Sequence, residues 1–288
     1  DLAIKVETHN APSAIDPYGG ALTGILGVNR DIIGTGMGAM PIANVNMLCF
    51  GPLDSEAPDG VLSPRRIYSG VVNGIKDGGN KSGIPTINGS FTFENGFAAR
   101  PVIYCGTLGI MPSEIHGKKT SEKKAEPGLL ALMVGGRVGK DGIHGATFSS
   151  QQLESSTPTS VVQIGDPITQ KKVLDFVMEA RDSLLYESIT DNGAGGLSSS
   201  VGEMAEQSNG CEIWLEAVPL KYPGLQPWEI LLSESQERMT LAIKKENLDA
   251  LEELAKKHEV EITVVGKFTG SGKMHALYKG ATVAYLDL

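Results

Sequence analysis

Six polar side chains open this sequence inside a run that is otherwise small, apolar and rich in glycine. Glu7, Thr8, His9, Asn10, Arg30 and Asp31 fall within KVETHNAPSAIDPYGGALTGILGVNRDIIGTG, residues 5–36. Two carboxylates, an imidazole, an amide and a guanidinium suit an anionic ligand held through a hard cation. Carboxylate oxygens take a divalent ion and leave room for water and phosphate oxygens, and a guanidinium forks onto phosphate, the natural task for Arg30. His9 is the histidine inside the cluster, and an imidazole that titrates near neutral pH can act as a general base. Taken singly, each group has a plainer reading. A lone histidine is more often a structural hydrogen-bonder, Gly-Thr-Gly and Pro-Tyr-Gly-Gly are turn chemistry, and one Asp–Arg pair is commonly a surface ion pair.

Further along, Asp191 heads DNGAGGLSSS (191–200), where an aspartate ahead of glycines reads by itself as a turn or helix cap. The segment GGRVGKDGIHGATFSS carries glycines at 135, 136, 139, 142 and 145, which free the backbone to aim N–H groups at a phosphate. It is not a P-loop: Gly135 to Gly139-Lys140 is one residue short, and Asp141 stands where a Ser or Thr would hold magnesium. Gln163 in VVQIGDP and the string Glu234-Ser235-Gln236 are further polar groups set beside apolar runs. No G-x-S-x-G elbow and no Cys-His pairing supplies a nucleophile.

Short elements must bring these groups together. A strand from Leu2 to Val6 delivers Glu7 to Asn10, and Gly19 to Val28 can wind as a helix that returns the chain to Arg30 and Asp31. Strands are expected at Ile42–Phe50, Ile84–Phe93 and Val102–Ile110, with a helix from Pro64 to Lys76 that opens on a first-turn proline and ends at Gly78, Gly79 and Gly83. Residues 113–127, PSEIHGKKTSEKKAEPG, read as a joint between two domains, 1–117 and 118–288. Its lysines, Lys118, Lys119, Lys123 and Lys124, are broken by Thr120, Ser121 and Glu122 and read as a solvated linker. Beyond it, Leu129–Val134 is a continuous apolar run of buried-strand length. Helices are expected at Pro167–Ser183, Leu197–Gln207 and Glu246–His258, the last with Leu248, Leu251, Leu254 and Ala255 on one face. Strands at 211–216, 239–244, 261–267 and 274–286 complete an α+β pattern.

Composition bounds the partners. With 288 residues and 41% hydrophobic content the chain can bury a sizeable core. A net charge of −9 without a basic stripe argues against nucleic acid. No apolar run approaches the ~18–20 residues of a membrane span. Cys49, Cys105 and Cys211 sit in apolar contexts without C-x-x-C spacing, which suits buried thiols in a cytoplasmic protein.

ETHNAPSA followed by RDIIGTG resembles the signature of the formylglycinamide ribonucleotide amidotransferase family. GKDGIHGATFSS (139–150), DNGAGGLSSS (191–200) and LLSESQERM (231–239) resemble its later motifs in the same order. The resemblance covers essentially the whole chain. Members of the family are longer, and Asp1 opens a strand already under way, so a piece of a larger synthetase is expected. The resemblance implies an aminoimidazole ribonucleotide synthetase-like (PurM-like) α+β fold. Its β-rich N-terminal domain, here short of its start, pairs with a second such domain into a barrel, and a C-terminal α/β domain follows. It implies Mg2+ on Glu7, Asp31 and Asp191, and His9 as proton acceptor. It places Thr8, His9, Asn10, Ala11, Arg30, Gln163, Glu234, Ser235 and Gln236 around the ribonucleotide. Gln163 precedes Asp191 by the 28 residues that the pattern wants. Lys140, His144 and Thr147 would form a substrate-side loop. Ala11 stands where the family motif has a second histidine, which removes a polar group beside the substrate.

In the family reaction ATP activates the formamide oxygen of formylglycinamide ribonucleotide, and ammonia from a glutaminase subunit or domain displaces phosphate to give the amidine. Two alternatives stay open. The chain can be a non-catalytic ligand-binding or dimerisation module of that family, which ammonia-dependent product formation by the chain alone would exclude. It can also be another ATP-using relative, such as aminoimidazole ribonucleotide synthetase, selenophosphate synthetase or thiamine-phosphate kinase, which substrate competition separates.

Overall fold

The structure, a computed structural model, describes residues 1–57, 59–143, 145, 162–163 and 165–288. Strand β1 (Leu2–Thr8) leads into a short helix α1 (Asn10–Ile15) and the longer α2 (Pro17–Ile33). Asp16 caps α2 by accepting the Gly19 N–H at 3.0 Å, and Pro17 fills the first turn, where no N–H is needed. Helix α2 is therefore longer at both ends than Gly19–Val28, and it carries Arg30 and Asp31 in its last turn. Helix α3 (Pro64–Ser82) also runs past its expected end at Lys76, stopping at Gly83 with φ +71. Gly78 does not break it, because the absent side chain is what lets α3 approach α2. A Cβ on Gly78 would lie 3.2 Å from Ile25, and one on Gly74 only 2.4 Å from the Tyr18 carbonyl oxygen.

These helices cover one face of a four-stranded sheet ordered β1-β4-β2-β3, with β2 (Met40–Phe50) parallel to β3 (Thr86–Phe93) and antiparallel to β4 (Val102–Ile110). Ala21, Ile25, Val28, Leu48, Phe50, Ile67, Val71, Ile103 and Cys105 form the core beneath them. Strand alternation sends the other residues out. Leu2 and Ile4 are 87% and 74% exposed, and Met47 and Ile110 are exposed beside them, so the second face is apolar and open.

The remaining strands form a seven-stranded sheet ordered β13-β12-β9-β11-β7-β10-β8. They are β7 (Leu130–Gly135), β8 (Ser188–Asp191), β9 (Cys211–Trp214), β10 (Arg238–Ile243), β11 (Ile262–Phe268), β12 (Lys273–Tyr278) and β13 (Ala281–Asp287). Helices α4 (Pro167–Asp182) and α7 (Leu248–His258) cover one face, and α5 (Gly196–Ser208) and α6 (Pro227–Leu232) the other. Covering on both sides is why β7 is apolar without alternation: Ala131 and Met133 enter one core, Leu132 and Val134 the other. The expected strand 274–286 is two strands, because Lys279 and Gly280 turn with φ +51 and +80.

The segment read as a solvated linker is structured. Strands β5 (Glu114–Ile115) and β6 (Lys118–Lys119) pair across His116 and Gly117, Lys118 bridges to Glu187, and Thr120 is buried. The two halves also share a core, since Ile33 and Met37 pack among the residues of α4 and β10. Polar ties reinforce it: Tyr186 donates to the Met37 carbonyl at 2.6 Å, and Gln170 to the Leu26 carbonyl at 3.0 Å. Among the described residues no helix is long and apolar enough to cross a membrane.

Candidate functional site

Strand β1, helix α2, the loop after β8 and the loop before β10 converge on a cleft of about 380 Å3, within the range of small-molecule sites. Glu7, Thr8, His9, Arg30, Asp31, Gln163, Asp191 and Gln236 all line it, so eight of the residues expected at the site meet there. Arg30, only 4% exposed, is the hub. Its Nη1 donates to Gln236 Oε1 at 2.8 Å and its Nε to Asp191 Oδ2 at 3.3 Å, joining residues 206 and 161 positions away.

The three carboxylates expected to hold metal all reach the cleft but are ion-paired. Lys5 Nζ lies 2.9 Å from Glu7 and 3.3 Å from Asp31, while Asp191 faces Arg30. Among the described residues no group of three or more His, Cys, Asp or Glu closes into a ready metal cage. The charge balance nevertheless suits a cation. Burial first, then the Asp191 and Glu7 carboxylates, push the Asp31 carboxyl up to about 6, and Glu203 adds a further carboxylate to the lining. Hard oxygen donors crowded until one of them resists ionisation are a fit for Mg2+. Asp191 is the last residue of β8 and not a helix cap; Gly195 takes that position in α5.

His9 sits at the start of α1 with its ring half-buried against Gly24, and its Nδ1 has no partner among the described residues. Burial pulls the imidazole below its usual range, and the Gly20 backbone, the Glu7 charge and the Gln163 side chain offset that. A neutral ring is the form that can accept a proton.

Four expected ligand contacts lie behind the lining. Asn10 Oδ1 accepts the Ile103 N–H at 2.8 Å, which anchors α1 to β4, and Ala11 is fully buried. Ser235 is also fully buried, its hydroxyl accepting the Gly139 N–H at 2.9 Å. Glu234 is 4% exposed; it accepts from Gln163 Nε2 at 2.5 Å and from the Gly195 N–H at 3.3 Å, so it orients Gln163 and the start of α5. Gly142 has to be glycine here: at φ +72, a Cβ would fall 2.6 Å from Gln163 Cγ. Lys140 pairs with Glu229 at 3.0 Å, on the far side of that loop. His144 and Thr147 lie outside the described residues.

Lys5, Thr23, Glu203 and Glu237 were missed. Period-two alternation already places Lys5 on the Glu7 face of β1 and could have found it. Nothing local marks Glu237, which has φ +59 and is 6% exposed. Burial pushes its carboxyl up to about 7, with the Arg30 charge and a hydrogen bond from the Asp166 N–H opposing. Its Oε1 has no partner among the described residues. The native state therefore holds this proton where the unfolded chain, at 4.5, has lost it. The fold is most stable below pH 4.5 as far as this group is concerned, weakens as pH rises toward 7, and stays weaker above. Glu237→Gln should remove that slope and add roughly 2 to 3 kcal/mol at pH 8. Urea unfolding of both proteins at pH 5 and pH 8 checks this, and parallel pH profiles would contradict it.

Residues 1–111 match the family described as AIR synthase related protein, N-terminal domain, and residues 126–279 match its C-terminal domain. The chain is 38% identical over 288 residues to the phosphoribosylformylglycinamidine synthase subunit PurL of Thermoplasma acidophilum, covering 99% of this chain and 37% of that protein. The solved structure of T. maritima PurL complexed with FGAR superposes with a TM-score of 0.87 at 32% identity, over 99% of this chain and 45% of that one. T. maritima PurL complexed with ATP gives 0.82 at 30%, over 99% and 43%. The chain thus spans well under half the length of the curated relatives it matches.

Proposed function

The chain belongs to the AIR synthase related family, whose N-terminal and C-terminal domains it carries in order, and on that premise we propose that it is part of an ATP-dependent carbon–nitrogen ligase converting formylglycinamide ribonucleotide to its amidine in purine biosynthesis. The observation that carries the reading is Arg30: a buried guanidinium at the bottom of a cleft ringed by carboxylates, an imidazole and two glutamines. It suits a ligand with a phosphate at one end and an amide at the other. The relatives described with FGAR and with ATP match over this whole chain.

In this reading Arg30 clamps the ribose-phosphate, while Gln163 and Gln236 donate to ligand oxygens and Thr8 closes the edge. Asn10, Ala11, Glu234 and Ser235 shape the pocket from behind. His9, neutral at working pH, takes the proton released as nitrogen is added. Glu7, Asp31 and Asp191 would hold Mg2+, which supplies charge neutralisation for the phosphates of ATP. A glutaminase subunit or domain would provide ammonia, consistent with the lack of a nucleophile motif. The domains would divide as 1–117 and 118–288. The open apolar face of the first sheet would be covered by a second unit of the same fold, closing its edges.

Calorimetric titration of the chain with formylglycinamide ribonucleotide, with and without Mg2+, tests the reading. Saturable binding strengthened by Mg2+ is expected. No binding by a folded chain would overturn the claim that this piece carries the substrate site, and would favour a module that acts only when paired.

A further inference from the structure

The groups of the cleft come from two domains, so their spacing depends on how those domains are held. Asp31 lies in the last turn of α2 in the first domain and Asp191 ends β8 in the second. The two elements abut: a Cβ on Gly34, the residue that caps α2, would lie 3.4 Å from the Asp191 nitrogen. The last carbonyls of a helix have no partner within it, and they carry the negative end of its dipole. At this junction the missing donor arrives from the stretch between the two family-matched segments, residues 112–125. Lys123, in the segment between the family domains, donates through Nζ to the Gly34 carbonyl at 2.7 Å and to the Ile189 carbonyl at 2.5 Å. One ammonium thus ties a carbonyl three residues past Asp31 to one two residues before Asp191.

We infer that Lys123 is a positioning residue that sets the separation of the Asp31 and Asp191 carboxylates across the domain junction. It does not line the cleft, so it touches no ligand there. Burial pulls the Lys123 ammonium below its usual range, and the Asp191 and Glu203 carboxylates offset part of that. Both of those carboxylates line the cleft. The neighbouring lysines differ in kind. Lys119 and Lys124 pair with Glu122 and Glu126 at the surface and Lys118 with the partly buried Glu187, whereas Lys123 binds backbone carbonyls of both domains. A carbonyl pair is a stiffer target than a glutamate side chain, because neither acceptor can move without its helix or strand.

The consequence for ligand affinity rests on the function proposed above; the consequence for domain geometry does not. Spin labels at Asn80→Cys on α3 and Glu252→Cys on α7, in a Cys49→Ser background, report the distance between the domains. Lys123→Met should broaden that distance distribution and weaken Mg2+-assisted binding of formylglycinamide ribonucleotide by at least about tenfold. Lys123→Arg keeps a cation with two or more donors and should retain a narrow distribution and most of the affinity. A merely structural lysine would lower thermal stability in both variants without separating them. Where the Met variant does not fold, Lys123→Gln, which can reach only one carbonyl, is read in the same way. A distribution unchanged in the Met variant, or equally broadened in the Arg variant, overturns the inference. Failure of the unsubstituted chain to bind ligand would count against the proposed function and leave the distance result to decide on Lys123.

Discussion

Arg30→Met should abolish measurable binding of formylglycinamide ribonucleotide by this chain, a loss of at least about 100-fold. The guanidinium is 4% exposed, so its interactions are made away from bulk water, where a charge-assisted hydrogen bond contributes about 1.5 to 3 kcal/mol. Losing the clamp on a phosphate removes two such bonds, and each ~1.4 kcal/mol is tenfold in affinity. The substitution also strands Gln236, 2% exposed, whose Oε1 loses its donor. That adds a stability cost of about 1 to 3 kcal/mol. The Asp191 contact adds little, because that carboxylate is 21% exposed and at 3.3 Å. Calorimetry measures the first effect and urea unfolding the second. Arg30→Lys, which keeps the charge but not the fork, should fall between the two. Affinity undiminished in the Met variant would remove Arg30 from the ligand site.

Arg238→Met should cost the fold about 3 to 5 kcal/mol and empty the site of function without touching a ligand. Arg238 is fully buried at the start of β10. Its Nε donates to the Ser235 carbonyl at 2.7 Å and its Nη2 to the Ser233 carbonyl at 2.5 Å, which winds residues 233–237 around the guanidinium. That winding turns Gln236 toward Arg30 and Glu234 toward Gln163. Burial, then the nearby Arg30 charge, hold its pKa down to about 10, so the group is still a cation at neutral pH. Methionine would relieve the desolvation of that charge. It would also leave two buried carbonyls without donors and remove a positive charge that the Glu234 and Glu237 carboxylates face, and these losses are the larger. The expected result is an unfolding midpoint shifted to much lower urea, with substrate binding lost even at concentrations where the variant is folded. A variant as stable as the parent would show that the loop holds its shape unaided.

The strands and helices were largely readable because their signals are local. Leu129–Val134 reads as a doubly covered strand from its unbroken apolar run, and Leu251, Leu254 and Ala255 fall on one helical face. The misreadings have one cause. Gly78 looks like a helix stop and is a contact surface for α2, and Lys123 looks solvated and is committed to two carbonyls. In both, a distant partner outweighs the local preference.

The order of amino acids supplied the chemical inventory: Glu7, His9, Arg30, Asp31, Gln163, Asp191 and Gln236, in motifs whose order marks the family. It also determined the alternation of β1, which sends Leu2, Ile4 and Val6 to one face and Lys5 and Glu7 to the other. Which members of a motif meet the cleft and which stand behind it is set by packing between distant segments. Thr8 and His9 reach it while Asn10 and Ala11 turn into the protein; Gln236 reaches it while Ser235 does not. Adjacent residues in a motif carry equal weight in a pattern. Their side chains point in different directions once α1 is docked on β4 and the 233–237 loop is wound on Arg238. The pairing of Arg30 with groups 161 and 206 residues away depends on the same packing, because the chain encodes faces locally and contacts across domains only through the fold as a whole.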